Sequence, residues 1–195
     1  MHYQKNYINC DRSSLLEQVQ AVIKPKRFQH VLRVEEAALE LAKLHGVDLE
    51  AVSIGALLHD YCKDMDPDTM LALAQDYWPE PSLKQAGPNV WHGFAAASLA
   101  KTKFSLSHPQ ILQALAAHTI GWYQMPPIVQ VVYLADYIEA GRDFPGVAYA
   151  RQLAQEDLTQ ASLYKMQSTI AHLAKEGQAI FLPTVDIYNH FVNPK

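Results

Sequence analysis

Residues 26–60 read KRFQHVLRVEEAALELAKLHGVDLEAVSIGALLHD. Phe28, Val31, Val34, Ala38 and Leu41 recur at spacings of three and four, which is the signature of one buried helical stripe and predicts a helix over 26–45. Gly46 follows as a left-handed stop. Asp48 is placed to cap the next helix, predicted over 49–58. Its AVSIGALL segment carries no charge, so it belongs in the centre of a core. The run then ends on His59-Asp60, an imidazole and a carboxylate after an otherwise uncharged segment. An unpaired buried charge is very costly, so Asp60 needs a partner.

The same punctuation extends in both directions. Ser14 and Glu17 form a capping box that opens a short helix over 13–24, which Pro25 limits. Asp66-Pro67 starts a fourth helix with proline at its first position. Pro79, Pro81, Gly87 and Pro88 mark a loop, followed by a fifth helix over 90–103. His108-Pro109 opens a sixth that ends near His118. A turn over 121–127 leads to a seventh over 128–140, stopped by Gly141. A long helix after the turn at 143–146 breaks near Asp157 and ends at Gly177. The tail, 178–195, reads as a loop and a short helix. The most strand-like run, Ile-Val-Gln-Val-Val-Tyr, is flanked closely by helical sequence. No repeat, low-complexity tract, GxGxxG or P-loop interrupts the pattern. The expected fold is an all-α helical bundle of roughly 8–10 helices in one domain, with its core over 26–177.

Composition narrows the function. Hydrophobic residues are 49% and charged residues 18%, so the chain should fold. A formal net charge of −4 argues against a general nucleic-acid or membrane-surface binder, while leaving room for a local basic pocket. Cys10 and Cys62 form no CxxC pair, and neither a signal segment nor a membrane-spanning run of ~18 apolar residues is present. A reducing cytoplasm fits these features. Nine histidines is a high count.

Imidazole nitrogen with carboxylate oxygen suits zinc, iron or manganese. Taken alone, His59-Asp60 also reads as a surface dipeptide or a capping pair. Asp136 shares a helical face with Val129, Val132 and Tyr133, and a carboxylate on an apolar stripe is an informative exception. It too has a plain reading, satisfied by backbone donors or by Arg142. His30 lies at the edge of its stripe, one turn before Arg33. His92 and His118 read equally as core histidines, as ligands of a second metal or as phosphate contacts. Arg142, in a glycine turn after a helix, suits either the helix dipole and Asp143 or a phosphoryl group. Cys62 reads as an apolar filler, and Glu139 as a partner of Arg142.

The order is what counts: His, then His-Asp, then Asp, each on a separate core-facing helix. With GALLHDYCKD, WHGFAAASLA, AAHTIGWYQM, YLADYIEAGRDFPGV and IFLPTVDIYN, the chain resembles the bacterial HD-domain symmetrical bis(5'-nucleosyl)-tetraphosphatases from Lys26 to Asn189. One departure is Ala140-Gly141, where a proline-containing dipeptide is expected. The resemblance implies that His30, His59, Asp60 and Asp136 ligate a divalent or trivalent transition metal, most simply iron, with manganese or cobalt as substitutes. It implies that His92, His118, Thr119 and Arg142 line a phosphate pocket. It also implies that Ala179, Ile180, Phe181, Leu182, Pro183 and Thr184 hold base and ribose through backbone groups.

The implied reaction is metal-assisted hydrolysis of diadenosine tetraphosphate to two ADP. Asp60, His118 and Arg142 would be catalytic, and His30, Arg33, Asp60 and Asp136 would also border the nucleotide. Arg33, Arg142, the histidines and the metal would supply the local positive charge that a polyanion needs. The expected partners are a dinucleoside polyphosphate and an ADP- or GDP-like product, with no nucleic acid and no membrane. A homodimer is left open. The rival readings are another HD-type nucleotide hydrolase and a non-catalytic nucleotide-binding module.

Overall fold

The computed structural model describes residues 1–193; the last two residues of the expected tail lie outside them. The helices are α1 (Arg12–Gln20), α2 (Pro25–His45), α3 (Leu49–Leu58), α4 (Pro67–Tyr77), α5 (Pro88–Lys103), α6 (Pro109–Ala117), α7 (Pro127–Ile138), α8 (Val147–Glu156), α9 (Leu158–Lys175) and α10 (Leu182–Val192). No strand occurs among the described residues, and Ile-Val-Gln-Val-Val-Tyr is the middle of α7.

Local chemistry sets most of the boundaries. Gly46 adopts φ 67° and ends α2, and the Asp48 side chain accepts from the Glu50 and Ala51 amides to start α3. Asp66 caps α4 with Pro67 behind it, and Asp157 separates α8 from α9 by capping the latter. Three boundaries differ from expectation. Asp11, rather than a Ser14–Glu17 box, caps α1 by accepting from Ser14 N, and the helix stops at Gln20. The loop before α5 holds a 3-10 turn, Pro81–Gln85, and α5 already starts at Pro88. Helix α7 stops at Ile138, before Ala140, because Glu139 turns to an extended backbone.

Helix α3 is the hub. It is buried from Glu50 to Leu58 and packs against α1, α2, α6 and α7. A buried charge network ties three of these helices together. Arg12 donates from Nε and Nη2 to Glu35 at 2.7 and 2.5 Å, and Ser53 Oγ donates to the same carboxylate at 2.5 Å. The elements that matter most for the site are α2, α5, α6 and α7, which wall the end of α3. Close approach of α5 to α6 depends on Gly93. A Cβ there would sit 2.7 Å from the Leu115 carbonyl oxygen and 3.0 Å from the His118 ring.

Gly93→Ala should therefore push the two helices apart. Overpacking of this kind costs about 1–3 kcal/mol, which for a chain of this size lowers Tm by roughly 2–10 °C. Thermal unfolding checks this; an unchanged Tm would mean that the α5–α6 contact is looser than described.

Candidate metal centre

Five helices deliver the site. Helix α2 contributes His30, and His59 caps the C-terminus of α3 with Asp60 immediately after it. His92 lies in α5, His118 caps the C-terminus of α6, and Asp136 lies in α7. The structure thus brings together all of the predicted ligands and both predicted phosphate histidines. His59 and Asp60 are 0% and 4% exposed, and His92 and His118 are each 2% exposed.

One device orients all four rings. His59 Nδ1 lies 2.7 Å from the Ala56 carbonyl oxygen, and His118 Nδ1 lies 2.7 Å from that of Leu115. Each imidazole turns back on its own helix and satisfies an end carbonyl. His92 Nδ1 is 3.1 Å from Pro88 O, and His30 Nδ1 is 3.2 Å from Glu139 Oε1. A proton on Nδ1 of each ring would leave Nε2 as a lone pair toward the cavity, the orientation of a metal-ligating histidine.

Asp60 lies between the rings. Its Oδ2 is 3.6 Å from His59 Nε2 and 3.9 Å from His30 Nε2, and its Oδ1 is 3.0 Å from His92 Nε2. Two groups of donors result, His30–His59–Asp60 and Asp60–His92–His118, each with ligand atoms within 4.8 Å of one another. Asp136 Oδ1 joins the first side at 3.1 Å from His30 Nε2, while also accepting from Arg142 Nη2 at 2.7 Å.

The charge states suit a cation. Burial lowers the His59 pKa, and burial with His92 and His59 nearby holds His118 well below the ordinary histidine range, so both rings are neutral at neutral pH. Burial alone would raise the Asp60 carboxyl, but His59, His92 and His118 around it hold it well below the usual carboxylate range. Burial likewise works against Asp136, and His30, Lys165, His59 and Arg142 outweigh it.

The donors also fit a metal on a test independent of charge. His59 Nε2 is buried with no hydrogen-bond partner. A buried polar atom left unpaired costs free energy, and here it aims at carboxylate and imidazole donors. On the other side, His92 Nε2 and His118 Nε2 lie 2.8 Å apart. Two lone pairs cannot face each other at that distance, so a proton or a cation must come between them.

The surroundings differ from expectation in several places. Glu139 pairs with Arg142 as expected, Arg142 Nε lying 3.7 Å from Oε1 and Arg142 N donating to the Glu139 carbonyl oxygen at 2.9 Å, but its shorter side-chain contacts are elsewhere. It accepts from Arg33 Nε at 2.5 Å and from Gly141 N at 2.6 Å while holding His30. Arg142 also donates to the Asp136 backbone and side chain, and Asp143 is not among its partners. Gly141 leaves room for the Arg33 guanidinium, which a Cβ there would approach to 2.7 Å at Nε and displace. Cys62 is fully buried, with its thiol pushed up to about 12 by burial, as an apolar filler should be. Thr119 Oγ1 lies 3.3 Å from His118 Nε2, at the site. Residues 179–184 are elsewhere: Phe181 packs edge-on against Trp78, and none of the six lines the cavity of about 430 Å³ at the cluster.

Two cations escaped the sequence reading. Arg27 donates to Asp60 Oδ2 at 2.5 Å, and its place one turn before His30 on α2 was the available signal. Lys165 is 4% exposed and donates to the backbone oxygens of His118 and Tyr133 at 3.0 and 2.5 Å, with Asp136 Oδ2 3.8 Å away. Burial pushes its ammonium down to about 8. Its signal was a lysine on the Leu158, Ala161, Ser162, Met166 stripe of α9.

The HD domain family matches residues 27–141. A protein of Halalkalibacterium halodurans named "Bis(5'-nucleosyl)-tetraphosphatase, symmetrical" is 32% identical over 93% of this chain and 97% of its own length. A Bacillus subtilis protein of the same name is 33% identical over 94% of this chain and 98% of its own. Among solved structures, a "predicted HD superfamily hydrolase involved in NAD metabolism" from Clostridium acetobutylicum superposes with a TM-score of 0.87 at 28% identity, covering 94% of this chain and 97% of that one. A domain match over more than half of the chain, a similar fold and near full-length relatives place this chain in the HD-domain family, among the symmetrical bis(5'-nucleosyl)-tetraphosphatases.

Proposed function

We propose that this chain is a metal-dependent hydrolase that cuts dinucleoside tetraphosphates symmetrically, taking diadenosine tetraphosphate to two ADP. The observation that carries the reading is the pair of donor groups sharing Asp60, with the unpartnered His59 Nε2 in the first of them. The names of the full-length relatives support the substrate class. The proposed ligands are His30, His59, Asp60 and Asp136 on one side. The facing Nε2 atoms of His92 and His118 favour a second cation there over direct contact with phosphate oxygens, which neutral lone pairs repel. Imidazole and carboxylate donors suit iron, with manganese or cobalt as substitutes.

A bound cation supplies Lewis-acid chemistry, polarising a phosphoryl oxygen and lowering the pKa of water toward ~7. The chain's own groups do the rest. Asp60 and His118 border the reacting phosphorus. Arg142, with its side chain 40% exposed, reaches from the turn after α7 and offers a planar donor to the phosphate chain. Lys165 holds the α6 and α7 ends that carry His118 and Asp136 at a fixed separation. Thr119 offers a hydroxyl beside His118. Base contact by residues 179–184 rests on the resemblance alone, since they stand away from the phosphate cavity.

Two outcomes test this. Elemental analysis of purified protein should find about two transition-metal equivalents, in keeping with a paired-cation phosphohydrolase, and His118→Ala should retain the one held by His30 and His59. Metal-free protein that regains no activity with iron, manganese or cobalt would refute the reading. Early-time chromatography of products from diadenosine tetraphosphate should show ADP alone; AMP with ATP would place the wrong phosphorus at the site even if the metals were found.

A further inference from the structure

A second cleft of about 450 Å³ adjoins the metal cavity. Five cations line it: Lys24, Lys26, Arg27, Arg33 and Arg142. Two carboxylates, Asp64 and Glu139, line it as well, leaving three positive charges in excess, on a chain whose formal net charge is −4. Arg27, His30 and Arg142 border both this cleft and the metal cavity, so the two are parts of one surface.

The cations are not all spent on the protein. Lys24 Nζ is 3.4 Å from Asp64, with its side chain 80% exposed. Lys26 is exposed, and Arg33 keeps Nη1 free of the bonds that hold its Nε and Nη2 to Glu139. Arg27 and Arg142 each bond a proposed ligand carboxylate while facing the cleft. Charge concentrated in a concave surface attracts a polyanion far more strongly than scattered lysines do.

We infer that this basic cleft is the subsite for the departing half of the substrate, holding the two phosphates beyond the scissile bond, with Lys24 and Lys26 as its outer contacts. The inference rests on the functional reading above and adds where the second half lies. One ADP unit with its β-phosphorus at Asp60 fills the metal cavity, and the rest of a four-phosphate chain must leave past Arg27, His30 and Arg142, the residues both clefts share. Water adds to the phosphorus at the cluster and the bond to the bridging oxygen breaks. The second ADP leaves through the cleft with that oxygen, and the proton that water gives up passes to solvent. Lys24 and Lys26 hold ground state and transition state alike, so they should act on KM rather than on kcat.

The test compares the metal-loaded wild-type protein with the double variant Lys24→Gln/Lys26→Gln and with Lys43→Gln, an exposed lysine at the opposite end of α2. For diadenosine tetraphosphate the double variant should raise KM about tenfold with kcat within about twofold, and Lys43→Gln should change neither. Calorimetry with inorganic tripolyphosphate supplies a readout that needs no turnover, and its affinity should fall in the double variant alone. Equal KM and equal tripolyphosphate affinity in wild type and double variant would overturn the subsite. If the wild-type protein leaves diadenosine tetraphosphate intact, the functional reading fails. Calorimetry then still decides whether the cleft binds a polyphosphate: a weaker double variant supports it, and equal affinities overturn it.

Discussion

Asp60 is a carboxylate buried just beyond the uncharged C-terminal part of α3, and most of the structure around it exists to make that position tolerable. Burial works against its charge, and an isolated ion there would be prohibitively costly. The protein surrounds it with His59 on the same helix end, His92 from α5, Arg27 from α2 and His30 farther out. Of the groups around it, His59, His92 and His118 stabilise the charged form against burial. The surrounding groups also fix which helices must meet at the end of α3, so the packing of α2, α5, α6 and α7 and the chemistry of the site follow from one constraint.

The histidines meet it with a common economy. Each ring spends Nδ1 on an oxygen of the protein, three on backbone carbonyls within four residues and one on Glu139. Two of those carbonyls lie at helix ends, where they lack an intrahelical partner. One hydrogen bond therefore closes a helix and aims a ligand. Gly93 and Gly141 serve the same arrangement by letting backbone approach the His118 ring and the Arg33 guanidinium. Arg33 in turn anchors Glu139, which holds His30. The donors are thus set before any cation arrives, as a preorganised site requires.

The helices were legible because their signals are local. The stripe from Phe28 to Leu41, Gly46, Asp48 and Asp66-Pro67 all act within a few residues of where they stand, and all appear at the expected places. The Ser14 cap misled because Asp11, three residues earlier, already starts the helix by accepting from the Ser14 amide with a charged acceptor. The site was legible as a list, since a charged residue on an apolar face betrays itself, but its wiring was not. That Glu139 belongs to His30 and Arg33, that Arg142 belongs to Asp136, and that Lys165 reaches across from α9 are facts of tertiary distance with little trace in local pattern. The basic cleft was hidden for the same reason: only the fold sets Lys24, Lys26 and Arg27 around one cleft with Arg33 and Arg142.

The central claim is that Asp60 is shared between two sets of cation donors. X-ray diffraction from crystals of the metal-loaded protein, recorded above and below the absorption edge of the bound metal, tests it most directly. Anomalous density is expected on both sides of the Asp60 carboxylate, one peak bonded to His30 and His59 and the other to His92 and His118. Density at neither position, or metal bound away from Asp60 altogether, would contradict it.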